Sequence, residues 1–464
     1  MTMTRQPPQN RQNHQKATAM TTTLFGLSQK CITPAPETKV SLAGYFNPRW
    51  QTGKLDDLFV RALAIADGRK IAVVCQFDLI RAPRVENIRS RCADIPGLDP
   101  ASILFAGTHT HTAPGINPPT PGNDPAYEQL VFDQAVAAIH AAVADLKPGT
   151  ACYTETEESR FAFNRRYWMK NGRVVTNPKR RDPEIDKPEG PIDPRIGLFG
   201  IKNPDGSLRL LIANISNHLD TIGGCLVSAD WQAALRSELE QAIPGVRAWG
   251  MTSAAGNINH FDPNGGPDQS SYERSCAIGK GYAATALAAV PKLKDLPPGD
   301  LAIACRTIQV GTQEVPEADI QEARQTVAQY ADVAFGTKNL TSEDLANRTP
   351  AALKLFAQRL LDIVDNPRTY AMECHVIRLG DFHVIGLCGE PFVEHAFHIR
   401  EDILHHRPCI ISAHCAGEAG YIPNRYNYGR GGYETQVTSS KTSLDTGRIL
   451  RQTIAELVAE AAAN

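Results

Sequence analysis

From about residue 58 onward the chain alternates segments that read as strand with segments that read as helix, and this alternation decides most of what it can fold into. FVRALAIAD (59–67) and KIAVVCQFDLI (70–80) are rich in β-branched and apolar residues and are split by the turn Gly68-Arg69. SILFAGTHTH (102–111) is another strand, running straight into a Gly- and Pro-rich loop. YEQLVFDQAVAAIHAAVADL (127–146) spaces its apolar residues three and four apart, as an amphipathic helix does. Helices also fit ADWQAALRSELEQAI (229–243) and YERSCAIGKGYAATALAAV (272–290). Strands fit 208–216, 246–252, 301–310, 373–380 and 382–389, and a short one fits PCIIS (408–412). Strands interleaved with helices specify an α/β layer architecture. Asp381 between two strands marks a tight hairpin, so the expected fold is a set of central mixed β-sheets covered by helices.

Composition narrows the class. The 464 residues are 42% hydrophobic and 21% charged, with a formal net charge of −2, which excludes disordered, collagen-like and disulfide-scaffold chains. No basic surplus is present for nucleic-acid binding, and no run approaches the ~20 apolar residues of a membrane span. The expected partner is therefore a small-molecule substrate. Eleven cysteines are scattered singly without C-x-x-C spacing, which fits reduced, mostly buried thiols in a cytoplasmic protein. The polar stretch 1–22 reads as a disordered leader without a secretory apolar region. Residues 23–464 read as one domain, with a helical excursion at about 315–364. Residues 164–195 carry much Pro, Gly and charge and no period, as a long functional loop would.

Chemistry concentrates at strand ends. In GTHTHTAPG (107–115), a strand alternating its side chains would send His109 and His111 to one face, near its C-terminal end. Two imidazoles there can share a metal, or one can ligate while the other handles protons. A pair of solvated loop histidines is the plainer alternative. His218 follows the same plan after LRLLIANIS, and Glu390 follows FHVIGLCG at a strand-to-helix corner. Taken singly, His218 reads as a core or cap residue and Glu390 as a first-turn acid favoured by the helix dipole. Tyr421 lies in a turn between glycine and Pro423. Separate strand ends supplying His, His and Glu is how catalytic zinc sites are assembled, with an open position for water. GxGxxG, P-loop, HExxH and GxSxG patterns are all absent, which argues against nucleotide-driven, zincin-type and serine α/β-hydrolase chemistry.

GTHTHTAPG resembles the THTHSGPG signature of the neutral, non-lysosomal ceramidase family. The resemblance continues in order through most of 25–440: AGYFNPRW, VCQFDLI, FNRRYWMKNGRVVTNP with GPIDPRIGLFGI, NHLDTIGG with SADW, TSAAGNINH, LCGEPF and GYIP. It implies an α/β catalytic domain with one zinc ion per chain, held by His109, His218, Glu390 and Tyr421. His111 would lie beside the metal, and Asn164 and Arg165 would face substrate. No counterpart of the family's C-terminal immunoglobulin-like domain is expected. Two departures stand out. Asn259 occupies the place of the serine in the family's GDVSPN segment, and Asn257 that of its acid.

An amide cannot act as the nucleophile, which excludes an acyl-enzyme through position 259. The expected reaction is hydrolysis of an amide (C–N) bond by metal-activated water, on a small polar substrate rather than ceramide. His111 would serve as acid/base, Asn259 as oxyanion donor, Arg165 as anion clamp and Asn257 as substrate contact. A metal-dependent esterase, lactonase or glycoconjugate hydrolase is the nearest rival, and a catalytically silent metal- or ligand-binding relative the next. The cluster Lys179-Arg180-Arg181 reads as a solvated loop.

Overall fold

The computed structural model describes residues 22–45, 48–116, 124–334, 340, 344 and 348–463; the expected leader falls almost wholly outside them. Twelve longer strands carry the fold: β1 (Leu24–Cys31), β2 (Phe59–Ala66), β3 (Ile71–Phe77), β4 (Leu98–Gly107), β5 (Thr150–Glu157), β6 (Arg195–Lys202), β7 (Leu208–Ile215), β8 (Arg247–Thr252), β9 (Leu301–Gly311), β10 (Thr369–Leu379), β11 (Phe382–Cys388) and β12 (Cys409–Cys415). The helices are α1 (Glu86–Arg91), α2 (Pro125–Ala144), α3 (Trp231–Ala242), α4 (Tyr272–Ala289), α5 (Glu317–Gln329), α6 (Pro350–Asp365), α7 (Val393–His398) and α8 (Thr446–Ala463).

Nine strands form one sheet, in the order β9-β10-β11-β12-β4-β3-β2-β1 followed by the short strand Lys147–Pro148. Five form a second sheet, β8-β7-β6-β5 followed by Lys294–Asp295. Both are mixed, as expected: β3/β4, β11/β12 and β7/β8 run parallel, and the hairpins run antiparallel. β3 shows why its sequence is a continuous apolar run. Val73, Cys75 and Phe77 face a core under α2, while Ala72 and Val74 face the core between the two sheets. A strand buried on both faces has no polar side to alternate with. Phe199, Ile212, Trp249 and Met251 of the second sheet fill that same inter-sheet core. Trp231 and Leu235 of α3 and Ile278 and Tyr282 of α4 cover the outer face of the second sheet. Leu450, Ile454 and Leu457 of α8 cover part of the first. The result is helix, sheet, sheet, helix.

Residues 164–195 are not the irregular loop that their composition suggests. Arg166–Met169, Val174–Thr176 and Ile185–Pro188 pair into a small three-stranded sheet, and Phe163–Asn164 pairs with Ile258–Asn259. The long side chains there carry the order, as with Arg166, which is wholly buried against Glu189 and Glu434. Helices α5 and α6 lie between β9 and β10 and share a small apolar cluster of Ala323, Ala357 and Leu361. All eleven cysteines are unpaired. No described helix is long and apolar enough to cross a membrane.

The nine-stranded sheet is joined only narrowly at its middle. β4 and β12 share a single paired position, Ala106 opposite Cys415. The ends of β4, β11 and β12 therefore converge, and β7 of the second sheet ends beside them, with Thr110 bridged to Leu219.

Candidate metal centre

β4 stops at Gly107, so the two histidines after it do not project from one strand face as alternation suggests. At Gly107 a Cβ would stand 2.5 Å from the Arg81 backbone. The chain beyond it runs alongside residues 77–80, with Thr108 N donating to Phe77 O and His109 N to Leu79 O. His109 takes a left-handed φ of 74°, a conformation that a non-glycine residue holds only when its surroundings over-determine it. The turn aims its ring inward, where Nδ1 lies 2.7 Å from Ile80 O.

His218 arrives from β7 of the other sheet and is fully buried. Its Nδ1 lies 2.9 and 3.0 Å from the carbonyls of Ala255 and Ile258. For both rings the carbonyl contact fixes the hydrogen on Nδ1 and turns the Nε2 lone pair inward, the way ligating histidines are oriented. Those Nε2 atoms stand 3.2 Å apart. The Nε2 of His111 is 3.3 Å from that of His109. Glu390 Oε2 is 3.4 Å from both His109 and His218 and has no hydrogen-bond partner. Bonds of about 2.0–2.1 Å to a tetrahedral ion separate its ligands by roughly 3.3 Å. The donor spacings match that geometry, and His109, His111 and His218 together could hold a metal ion.

Tyr421 joins Glu390 through the backbone. The two-residue strands Glu390–Pro391 and Tyr421–Ile422 are parallel, with Glu390 opposite Tyr421. Burial pushes the Tyr421 phenol far up, and the Arg165 guanidinium beside it pulls the other way. Burial pushes the His218 and His111 rings down, helped by Arg165 for the first and His109 for the second. Glu390 is held well below the carboxylate range, because His109 and His218 outweigh its burial.

The remaining expected residues are engaged by the protein. Arg165 is buried, with its Nε 2.7 Å from Glu434 Oε1, its Nη2 donating to Gly256 O, and its guanidinium over the Tyr421 ring at 5.0 Å. Asn164 donates to Pro191 O and accepts from Arg166 N. Asn257 donates to Glu394 and accepts from Val393 N. Asn259 donates to Asn177 at 3.2 Å and accepts from Phe261 N. Lys179 is exposed, as are Arg180 and Arg181.

Three neighbours escape the sequence reading. His414, the second-to-last residue of β12, stacks on His109 at 3.8 Å and leaves Nε2 buried without a partner. Another strand ending in a histidine was its one signal. Asp220 lies beside His111 and His218 and is held low by His260 against its own burial. Glu434 gives no local sign at all. On the open side, Tyr45 meets the His111 ring edge-on at 5.6 Å, and a Cβ at Gly44 would strike that ring at 2.5 Å.

Fold and site together define an α/β protein with a buried imidazole–carboxylate centre at the junction of two mixed sheets. Among solved structures, this architecture is that of the neutral ceramidases. The neutral ceramidase from Pseudomonas aeruginosa superposes with a TM-score of 0.70 at 18% identity, over 94% of this chain and 74% of that one. A ceramidase complexed with C2 gives 0.71 at 17% identity, over 95% and 75%. Neither protein-family models nor curated proteins give a sequence match. The likeness establishes the neutral ceramidase-like fold that the ordered motifs imply.

Proposed function

We propose that the chain is a zinc-dependent hydrolase that cleaves an amide (C–N) bond in a small polar substrate, in the cytoplasm. One observation carries the reading. With both Nδ1 hydrogens committed to carbonyls, His109 and His218 point two lone pairs at each other across 3.2 Å, and a carboxylate oxygen approaches each at 3.4 Å. Three acceptors without a proton among them repel one another in a buried site, and a cation between them removes the conflict. The imidazole and carboxylate donors suit zinc.

In this reading His109, His218 and Glu390 are the ligands, and Tyr421 completes the set. When bound, the ion supplies Lewis acidity and an acidified water at neutral pH. The chain does the rest. His111 stands on the open side of the cluster, placed to carry a proton to the departing nitrogen. Arg49 donates to the carbonyls of His111, Ala43 and Gly224 and stacks over Tyr45 at 4.1 Å, which fixes the loop that backs His111. Arg165 holds Tyr421 rather than clamping an anion.

The test is metal content by mass spectrometry, together with turnover on a panel of amides and esters. One equivalent of zinc and amide cleavage are expected in the wild type, and His109→Ala should lose both. Full zinc occupancy with undiminished turnover in that variant would overturn the assignment.

A further inference from the structure

Beside the metal centre a carboxylate, an imidazole and a hydroxyl stand in line. Asp220 Oδ1 lies 3.1 Å from Nδ1 of His260, and on the far edge of that ring Nε2 lies 3.4 Å from Oγ of Ser270. His260 is 4% exposed, whereas Ser270 is open to solvent. A carboxylate at Nδ1 selects the tautomer that leaves Nε2 free, and a hydroxyl facing Nε2 can pass its proton there. The 3.4 Å separation is within the looser spacing that such pairs show before substrate arrives.

The local structure holds Ser270 in place. Gln269 is buried and donates to Asp262 O and Gly266 O at 2.8 and 2.9 Å, while accepting from Asp262 N at 2.7 Å. These bonds close 262–269 into a fixed hook that ends at Ser270. The next residue, Ser271, caps α4 by accepting from Arg274 N. An oxyanion formed at Ser270 would meet the positive end of that helix.

We propose that Ser270, His260 and Asp220 form a nucleophilic relay beside the metal centre that cleaves acyl esters. Ser270 Oγ bonds to the ester carbonyl carbon as its proton passes to His260 Nε2. The bond from that carbon to the alcohol oxygen breaks, and the departing oxygen takes the proton. A water then attacks the acyl-serine, giving a proton to His260. The carboxylic acid leaves, and that proton returns to Ser270. Asp220 acts as a positioning residue for the ring.

The test treats the full chain with a fluorophosphonate and maps adducts by mass spectrometry. A phosphonyl adduct on Ser270 is expected, absent in Ser270→Ala and formed about 100-fold or more slowly in His260→Gln. Asp220→Asn should slow labelling, and Asp220→Glu should restore it. An unlabelled Ser270, or equal rates in wild type and His260→Gln, overturns the relay. If His260→Gln does not fold, the contrast within the native chain decides. Ser270 reacting at least 100-fold faster than Ser271 supports the relay, and equal rates sink it.

Discussion

A phenol that is to ligate a metal must give up its proton, and at Tyr421 two forces bear on that step. Burial pushes its pKa far up, whereas the Arg165 guanidinium favours the phenolate. Burial should in turn weaken the charge on Arg165, yet Tyr421 and Glu434 hold its pKa above the usual value. Glu434 also accepts from Arg166 and Thr176, so its charge is committed before any substrate arrives. In the proposed site the guanidinium would thus prepare Tyr421 as a ligand. Arg165→Met should therefore loosen the metal by about 10–100-fold, the usual cost of losing a group that supports a ligand. Competition with a chelator of known affinity measures this, at a temperature where circular dichroism shows the variant folded. Arg165→Lys should recover part of the loss by restoring the charge without the planar fork. Unchanged metal affinity in Arg165→Met would mean that Tyr421 takes no part in binding.

At the scale of elements, the segment 254–259 braces two others. Ala255 O and Ile258 O orient His218, and Gly256 N donates to Pro391 O one residue beyond Glu390. A Cβ at Gly256 would stand 2.3 Å from Glu390 O, so only glycine permits that approach. Helix α7 has no side-chain cap from its own N-cap residue, Phe392, and Asn257 supplies one from a distant loop by accepting from Val393 N while donating to Glu394. Asn257→Ala should cost about 1–2 kcal/mol, read as a lower midpoint in denaturant, by leaving that amide uncapped. An unchanged midpoint would remove Asn257 from this role. These contacts also show what the sequence could and could not reveal. Periodicity finds β2, β3, α2, α3 and α4 within a few residues, because each buries a face or two set by its own side chains. Ordered strand ends point to His109, His218 and Glu390. Alternation misplaces the route to His109, because its left-handed φ is imposed by backbone packing at Gly107. The partners of Asn257 and Arg165, and the Asn177 that Asn259 donates to, lie far along the chain, and no local pattern encodes them.

Across the whole molecule, the proposed metal centre lies at the junction of the two sheets: His109 and Glu390 follow strands of the nine-stranded sheet and His218 follows a strand of the five-stranded one. Polar clamps already tie the sheets together. Asn214 on β7 donates to Ile411 O and accepts from Ile411 N on β12, Gln76 on β3 donates to Gly250 O on β8, and the Thr252 hydroxyl donates to Thr108 O. An ion bound only by the folded chain adds stability by mass action, about 4 kcal/mol at a free concentration a thousand times its dissociation constant. Chelation should therefore lower the thermal midpoint by several degrees, and returning zinc should restore it. His109→Ala should start low and respond to neither treatment. Asn214→Ala separates this effect from packing. It strips both Ile411 backbone groups of their partner at a cost of about 2–4 kcal/mol, with or without metal, because the clamp does not touch the ion. The chelation shift in that variant should equal the wild-type shift, since well-separated sites add. A midpoint unmoved by chelation in wild type would show that no ion joins the sheets, and the converging lone pairs of His109 and His218 would then need a proton between them.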